Sequence, residues 1–292
     1  MNTNMQRPEK TIQTLANRAQ RITTSFDSGN MVWHRWDSQI EPDGPPLILL
    51  HGGFGSWTHW ALVIPELQKH YTVIAADLPG LGASDDVDRP HSAEQLAGIV
   101  KQGIEQLLPT NAPFHLVGFS FGGMLGSVIA ASFDHQCLTF TAVGASGFGD
   151  LHYIVDGIEM PAAEMSEQQT QAIHIKNLRL LMFAPNSEID ALGLHIHQTN
   201  VARGRIKSRR MSVTDALIKA LPHIKARIGG IWGELDSTGG GLDAIHKRAA
   251  IFRQQQPGAP FDIIDGAGHW VMYEQPDTFT QILIKQLKSF DK

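Results

Sequence analysis

Apolar residues in this chain gather in short continuous runs rather than in strict alternation. PPLILLHG (45–52), YTVIAADLPG (71–80), FHLVGFS (114–120), LTFTAVGAS (138–146), ARIGGIWGELD (226–236) and APFDIIDGAGH (259–269) each run into glycine or polar residues. Short apolar runs of this kind are what strands covered on both faces look like. Helix-compatible segments separate them, so the pattern predicts an α/β fold with a mainly parallel central sheet flanked by helices. A polar, helix-compatible leader fills 1–20. After it, ITTSF (22–26) and MVWHRW (31–36) straddle Asp27-Ser28-Gly29-Asn30, the turn chemistry of a β-hairpin.

One interval breaks the alternation. From 148 to 222 no core strand is visible, and helix-like pieces such as AAEMSEQQTQAIHIKNLRLLMF and SVTDALIKALP take its place. The expected organisation is therefore a core of 1–147 and 223–292, interrupted by a helical cap, or lid, over 148–222. A cap in this position normally supplies substrate contacts.

Composition narrows the class. A chain of 292 residues with 42% hydrophobic content is long enough for one large α/β domain or two smaller ones. The net charge is -5, and the densest basic stretch, RGRIKSRR (203–210), is too short for a nucleic-acid surface. No run approaches the roughly 18 apolar residues of a membrane span, so no membrane partner is expected. The leader lacks the apolar segment of a secretory signal. The single cysteine, Cys137, sits in an apolar setting and has no internal disulfide partner, which fits a cytoplasmic protein. A small-molecule substrate is the expected partner, and a homodimer is left open.

Candidate chemistry collects at the ends of the apolar runs. Gly118-Phe119-Ser120-Phe121-Gly122 matches G-x-S-x-G between a strand and a helix-compatible run. A serine so placed is either idle in a packing turn or a nucleophile, and a nucleophile needs a base with an orienting carboxylate. Among fourteen histidines, His269 stands out because it follows the last strand through Gly266-Ala267-Gly268. Asp236 ends the preceding strand, with Glu234, Asp243 and Asp265 as rivals. His51-Gly52-Gly53-Phe54-Gly55 follows LILL, where glycines let backbone amides face an oxyanion. The expected donors are the amides of Gly53 and Phe121. The lysine of a phosphate loop is missing, the spacing is not G-x-G-x-x-G, and no cofactor is needed. His195-Ile196-His197 are two apart on a helix and cannot face one metal, so no metal site is expected.

Taken together, HGGFG, DLPGLGASD (77–85), GFSFGG, GELD and GAGHW resemble the α/β-hydrolase superfamily over nearly the whole chain outside the leader and cap. The resemblance implies a Ser120–Asp236–His269 triad, in that order along the chain. Within the superfamily the motifs look most like meta-cleavage product hydrolases, which cut carbon–carbon bonds in dienoic keto acids from aromatic degradation. His269-Trp270 matches that group's His-Trp pair, and its substrate-holding cap arginine corresponds to Arg203, or to Arg205. The sequence departs from that group at Phe119, where asparagine is usual, and at Phe54, which interrupts a Gly-Gly-Gly-Pro loop. Carboxylesterases often carry G-F-S at the elbow. Prolyl aminopeptidases need cap acids, for which Glu159, Glu164 and Glu167 are the available residues. The expected substrate-binding set is Phe54, Phe119, Arg203 and Trp270. The expected activity is a serine hydrolase acting on a carbonyl, with carbon–carbon, ester and amide bonds as alternatives. A non-enzymatic ligand-binding member of the fold is the alternative of a different class.

Overall fold

The computed structural model describes residues 7–151, 153 and 155–289; the first six residues of the leader lie outside them. Eight strands form one sheet: β1 (Gln20–Phe26), β2 (Gly29–Trp36), β3 (Leu47–Leu50), β4 (Val73–Asp77), β5 (Phe114–Phe119), β6 (Cys137–Val143), β7 (Arg227–Gly233) and β8 (Phe261–Ile264). Their spatial order is β1-β2-β4-β3-β5-β6-β7-β8. β2 runs antiparallel to β1 and β4, and every pairing from β4 to β8 is parallel. The hairpin is tighter than the sequence implies: Phe26 pairs with Gly29, so the turn itself is Asp27-Ser28.

Helices are α1 (Pro8–Ala16), α2 (Ile64–Leu67), α3 (Ala93–Leu107), α4 (Phe121–Ser132), α5 (Glu167–Leu181) and α6 (Ala191–Ala202). They continue with α7 (Ser208–Ser212), α8 (Ala216–Ala220), α9 (Leu242–Gln255), α10 (Val271–Glu274) and α11 (Pro276–Ser289). α5 to α8 all lie between β6 and β7, so the interval without an apolar run is a helical insertion.

Two apolar clusters sandwich the sheet. Ile48, Leu50 and Leu116 face one side, packed with residues of α3, α4 and α9. Leu47, Leu49, Val117 and Phe119 face the other, with α2, α10 and α11. Successive residues of one strand thus enter opposite layers, the two-residue period of extended backbone. Because both layers are apolar, the strands read as continuous rather than alternating runs. β3 has β4 on one side and β5 on the other, so the chain changes direction across the sheet there. The carboxyl ends of strands at such a switch point are where open α/β sheets bind ligands.

Candidate active site

Ser120 connects β5 to α4 with φ 52° and ψ −115°, a conformation that costs a non-glycine residue about 1–3 kcal/mol. The fold holds it there by backbone bonds. Its N–H donates to the Val143 carbonyl at 2.9 Å, and its own carbonyl accepts from Gly123 at 3.0 Å and Ser146 at 3.1 Å. The flanking glycines are obligatory for space. A Cβ on Gly118 would lie 2.3 Å from the Gly122 carbonyl oxygen, and one on Gly122 would lie 2.4 Å from that of His51. A turn this tight lifts the half-buried serine side chain toward the sheet edge while α4 begins at the next residue. The first amides of a helix have no intrahelical acceptor and carry its positive dipole end, which favours anionic charge near Phe121.

Asp236 and His269 meet across the ends of β7 and β8. His269 Nδ1 lies 2.9 Å from Asp236 Oδ2, with both residues buried. Asp236 Oδ1 accepts from the Thr238 amide and from Thr238 Oγ1, each at 2.8 Å. Burial by itself would raise the Asp236 carboxyl. The adjacent His269 ring and the bonds from His269 and Thr238 outweigh it and hold the group below its ordinary range. An aspartate so bound stays ionised and fixes the ring so that Nε2 is directed away from it. Thr238 was not singled out from sequence; the signal available was Asp-x-Thr just after a strand, the pattern of a side chain capping its own turn. The rivals are placed elsewhere: Glu234 accepts from the Gly266 amide, and Asp243 is an exposed residue of α9.

The loop after β3 reaches the same place. His51 is fully buried, and its Nε2 accepts from the Leu78 amide at 2.9 Å, which leaves Nδ1–H to donate to the Gly52 carbonyl at 2.7 Å. Burial pushes this imidazole down to about 4, so it is a neutral fixture of the loop. A Cβ on Gly53 would sit 2.5 Å from Ser208 Oγ and 3.8 Å from Phe121 Cβ, so the Gly53 backbone lies beside the start of α4. Asp77, at the start of the DLPGLGASD turn, accepts from the Trp57 amide and the Ala83 amide, each at 2.9 Å.

Gly53, Phe54, Ser120, Phe121 and His269 line one cavity of about 150 Å³. Its other wall belongs to the insertion, with Val155, Ile158, Leu181, Met182 and His197. Three of the expected substrate contacts stand away from it. Phe119 and Trp270 are absent from the cavity wall because both are buried behind it. Phe119 packs on the His269 ring at 4.8 Å, and Trp270 Nε1 donates to the His59 carbonyl at 2.9 Å. Arg203 is exposed at the end of α6 and does not reach the wall. Ile206, buried against Gly80, turns the chain there, and the arginine on the wall is Arg209, whose guanidinium donates to the Val155 carbonyl at 2.6 Å. Arg205 is paired with Asp86. Glu159, paired with Lys176, and Glu164 and Glu167 are also off the wall.

Among the described residues, no group of three or more histidine, cysteine, aspartate or glutamate side chains is placed to hold a metal ion. No described helix is long and apolar enough to cross a membrane.

Residues 47–282 match the sequence model of the alpha/beta hydrolase family. Over 252 residues the chain is 26% identical to the 2-hydroxy-6-oxononadienedioate/2-hydroxy-6-oxononatrienedioate hydrolase of Escherichia coli, covering 82% of this chain and 86% of that protein. It is also 26% identical over 253 residues to the dihydrolipoyllysine-residue acetyltransferase component of an acetoin cleaving system from Cupriavidus necator, covering 82% of this chain. That match spans 63% of the relative's length, and shorter matches to other curated relatives span less than half of theirs. In three dimensions the chain superposes on a carboxylesterase from Bacillus subtilis with a TM-score of 0.73 at 17% identity, covering 97% and 96% of the two chains. At that identity the likeness is one of fold.

Proposed function

The chain belongs to the alpha/beta hydrolase family, and from that premise we propose that it is a serine hydrolase cleaving neutral, largely apolar carboxylic esters. The observation that carries this is the strained Ser120 sharing a cavity wall with His269, whose Nδ1 is taken up by Asp236 at 2.9 Å.

His269 Nε2 takes the Ser120 proton as Oγ attacks the carbonyl carbon. The tetrahedral oxyanion forms against the amides of Gly53 and Phe121, each such donor contributing about 2.7–4 kcal/mol to lowering the barrier. His269 then returns the proton to the departing alkoxide, and Asp236 stabilises the transient imidazolium. Water, deprotonated by His269, attacks the acyl-enzyme and frees the acid. Residues 148–222 act as the cap over this wall, with 1–147 and 223–292 as the core.

The ester reading rests on the chemistry of the wall. Phe54, Phe121, Ile158, Leu181 and Met182 suit an apolar or aromatic arm, and no carboxylate lies among the lining residues to hold the amine of an aminopeptidase substrate. A second reading, carbon–carbon hydrolysis of a ring-fission keto acid, draws on the relative in Escherichia coli and on Arg209 as the available carboxylate anchor. Kinetics on a short p-nitrophenyl ester test the mechanism. Ser120→Ala should lower kcat at least ~10³-fold with the circular dichroism spectrum unchanged. Retention of most of the activity would exclude the serine mechanism.

A further inference from the structure

Several polar side chains on the cavity wall are committed elsewhere. Arg209 donates to the Val155 carbonyl, Asn177 exchanges two hydrogen bonds with the Glu159 backbone, and Thr238 Oγ1 donates to Asp236. Ser208 differs. It opens α7, is only 2% exposed, and lines the cavity with Gly53, Ser120 and Phe121. Its Oγ has no hydrogen-bond partner among the described residues and is not sealed off by protein, so it stays open to the cavity. It also lies against the Gly53 backbone, where a Cβ on Gly53 would come within 2.5 Å of it. That same point is 3.8 Å from Phe121 Cβ, so the hydroxyl adjoins both residues whose amides are the candidate oxyanion donors. A buried hydroxyl is costly to leave without a partner, so a chain keeps one where a ligand supplies the bond.

Ser208 belongs to the insertion by sequence but is seated on the core. The Arg205 amide donates to the Gly80 carbonyl at 3.0 Å, and Ile206 packs against Gly80. On the other side, Ser212 Oγ donates to the Ser208 carbonyl at 3.2 Å, and the Gly147 amide donates to the Ser212 carbonyl at 3.1 Å. Both flanks of Ser208 are thus pinned to loops that follow core strands, β4 and β6.

We infer that Ser208 is a further catalytic residue, a third donor to the oxyanion that the insertion supplies to the site at the sheet edge. This rests on the serine-hydrolase reading of the site. As Ser120 Oγ bonds to the carbonyl carbon, its proton passes to His269 and the carbonyl π pair becomes the negative charge on oxygen. The Ser208 hydroxyl donates to that oxygen beside the amides of Gly53 and Phe121. An ester carbonyl carries little charge before attack, so the bond strengthens in the transition state and acts on kcat rather than on KM.

The test pairs hydrolysis of p-nitrophenyl phenylacetate with inhibition by benzyl trifluoromethyl ketone, to which Ser120 adds reversibly to give a tetrahedral oxyanion. Binding of methyl phenylacetate, which stays planar, is measured by calorimetry in Ser120→Ala with and without the Ser208 change. Ser208→Ala should lower kcat about 10²-fold and weaken the ketone by a similar factor. KM and the affinity for the planar ester should change less than threefold. Ser208→Thr, which keeps the hydroxyl, should recover at least tenfold of the lost rate. A Ser208→Ala enzyme within threefold of wild type in both kcat and ketone affinity overturns the inference alone and leaves the hydrolase reading standing. An equal loss of ketone and planar-ester affinity also overturns it, because the contact is then made before attack. If wild type neither hydrolyses the ester nor binds the ketone, the hydrolase reading fails and the inference falls with it.

Discussion

The sheet edge and the helical insertion face each other across one cavity, yet they are built by different rules. At the edge, the candidate catalytic residues follow the ends of apolar strands, Ser120 directly after β5, Asp236 three residues after β7 and His269 five after β8. Ser120 is fixed by Val143 and Ser146, and Asp236 by its own Thr238 turn. In the insertion, side chains share the anchoring with backbone bonds: Asn200 on Ser56 and Thr58, Arg205 on Asp86 and Ile206 against Gly80, beside the Arg205 amide on the Gly80 carbonyl and the Trp270 amide on the Met182 carbonyl. A rigid edge fits a reaction that tolerates little displacement, and a wall anchored partly by side chains fits a surface that defines which substrate enters.

The comparison breaks most sharply at Asp236. Asp236→Asn keeps the shape but removes the charge that fixes the His269 tautomer, and kcat should fall about 10⁴-fold with little change in KM. A loss under tenfold in steady-state kinetics would mean that the edge does not work as a triad.

Next in size is the acid sensitivity of the edge itself. His51 is buried and neutral, with its ring pushed from 6.5 down to about 4, whereas the unfolded chain protonates it below about 6.5. The lowered folded value means its contribution is complete above 6.5 and is lost as pH falls toward 4. Urea unfolding should therefore show stability lower by about 2 kcal/mol at pH 5 than at pH 8 from this group. Because His59 and His197 are also shifted down by burial, the total drop should exceed that figure. A His51→Gln variant with an undiminished drop would show that the edge loop is not its source.

The smallest effect belongs to the insertion's anchor. Asn200→Ala should cost about 1–2 kcal/mol of stability in thermal unfolding. It should raise KM for an aromatic ester several-fold and leave kcat within a factor of about three. A collapse of kcat comparable to that of Asp236→Asn would erase the distinction between the two regions.

The same division explains what could be read from sequence. The sheet is legible because burial on both faces leaves unbroken runs such as LILL. Its site is legible because Gly118, Gly122 and the HGGFG loop are demanded by close backbone approach, and such demands leave glycine at fixed spacing. The positions of Ser120 and His269 follow from their places at the ends of strands. The insertion leaves no comparable trace. Arg203 and Arg209 sit in one basic stretch, and which of them reaches the cavity depends on Ile206 docking against Gly80, a contact between residues more than a hundred positions apart. Phe119 and Trp270 read as pocket aromatics because their neighbours in sequence are candidate catalytic residues, yet both are buried behind the wall, Phe119 on the His269 ring and Trp270 bonded to the His59 carbonyl. His197 was weighed with His195 as a metal pair. Its place on the cavity wall depends on how α6 is seated on the core, where Asn200 bonds Ser56 and Thr58.

The central claim is that Ser120 is a nucleophile activated by its surroundings. Its most direct test is intact-protein mass spectrometry after treatment with a fluorophosphonate, followed by peptide mapping. The account predicts a single adduct on Ser120 in the wild type and no adduct in Ser120→Ala. An unlabelled wild type, or a label that persists in Ser120→Ala, would contradict it.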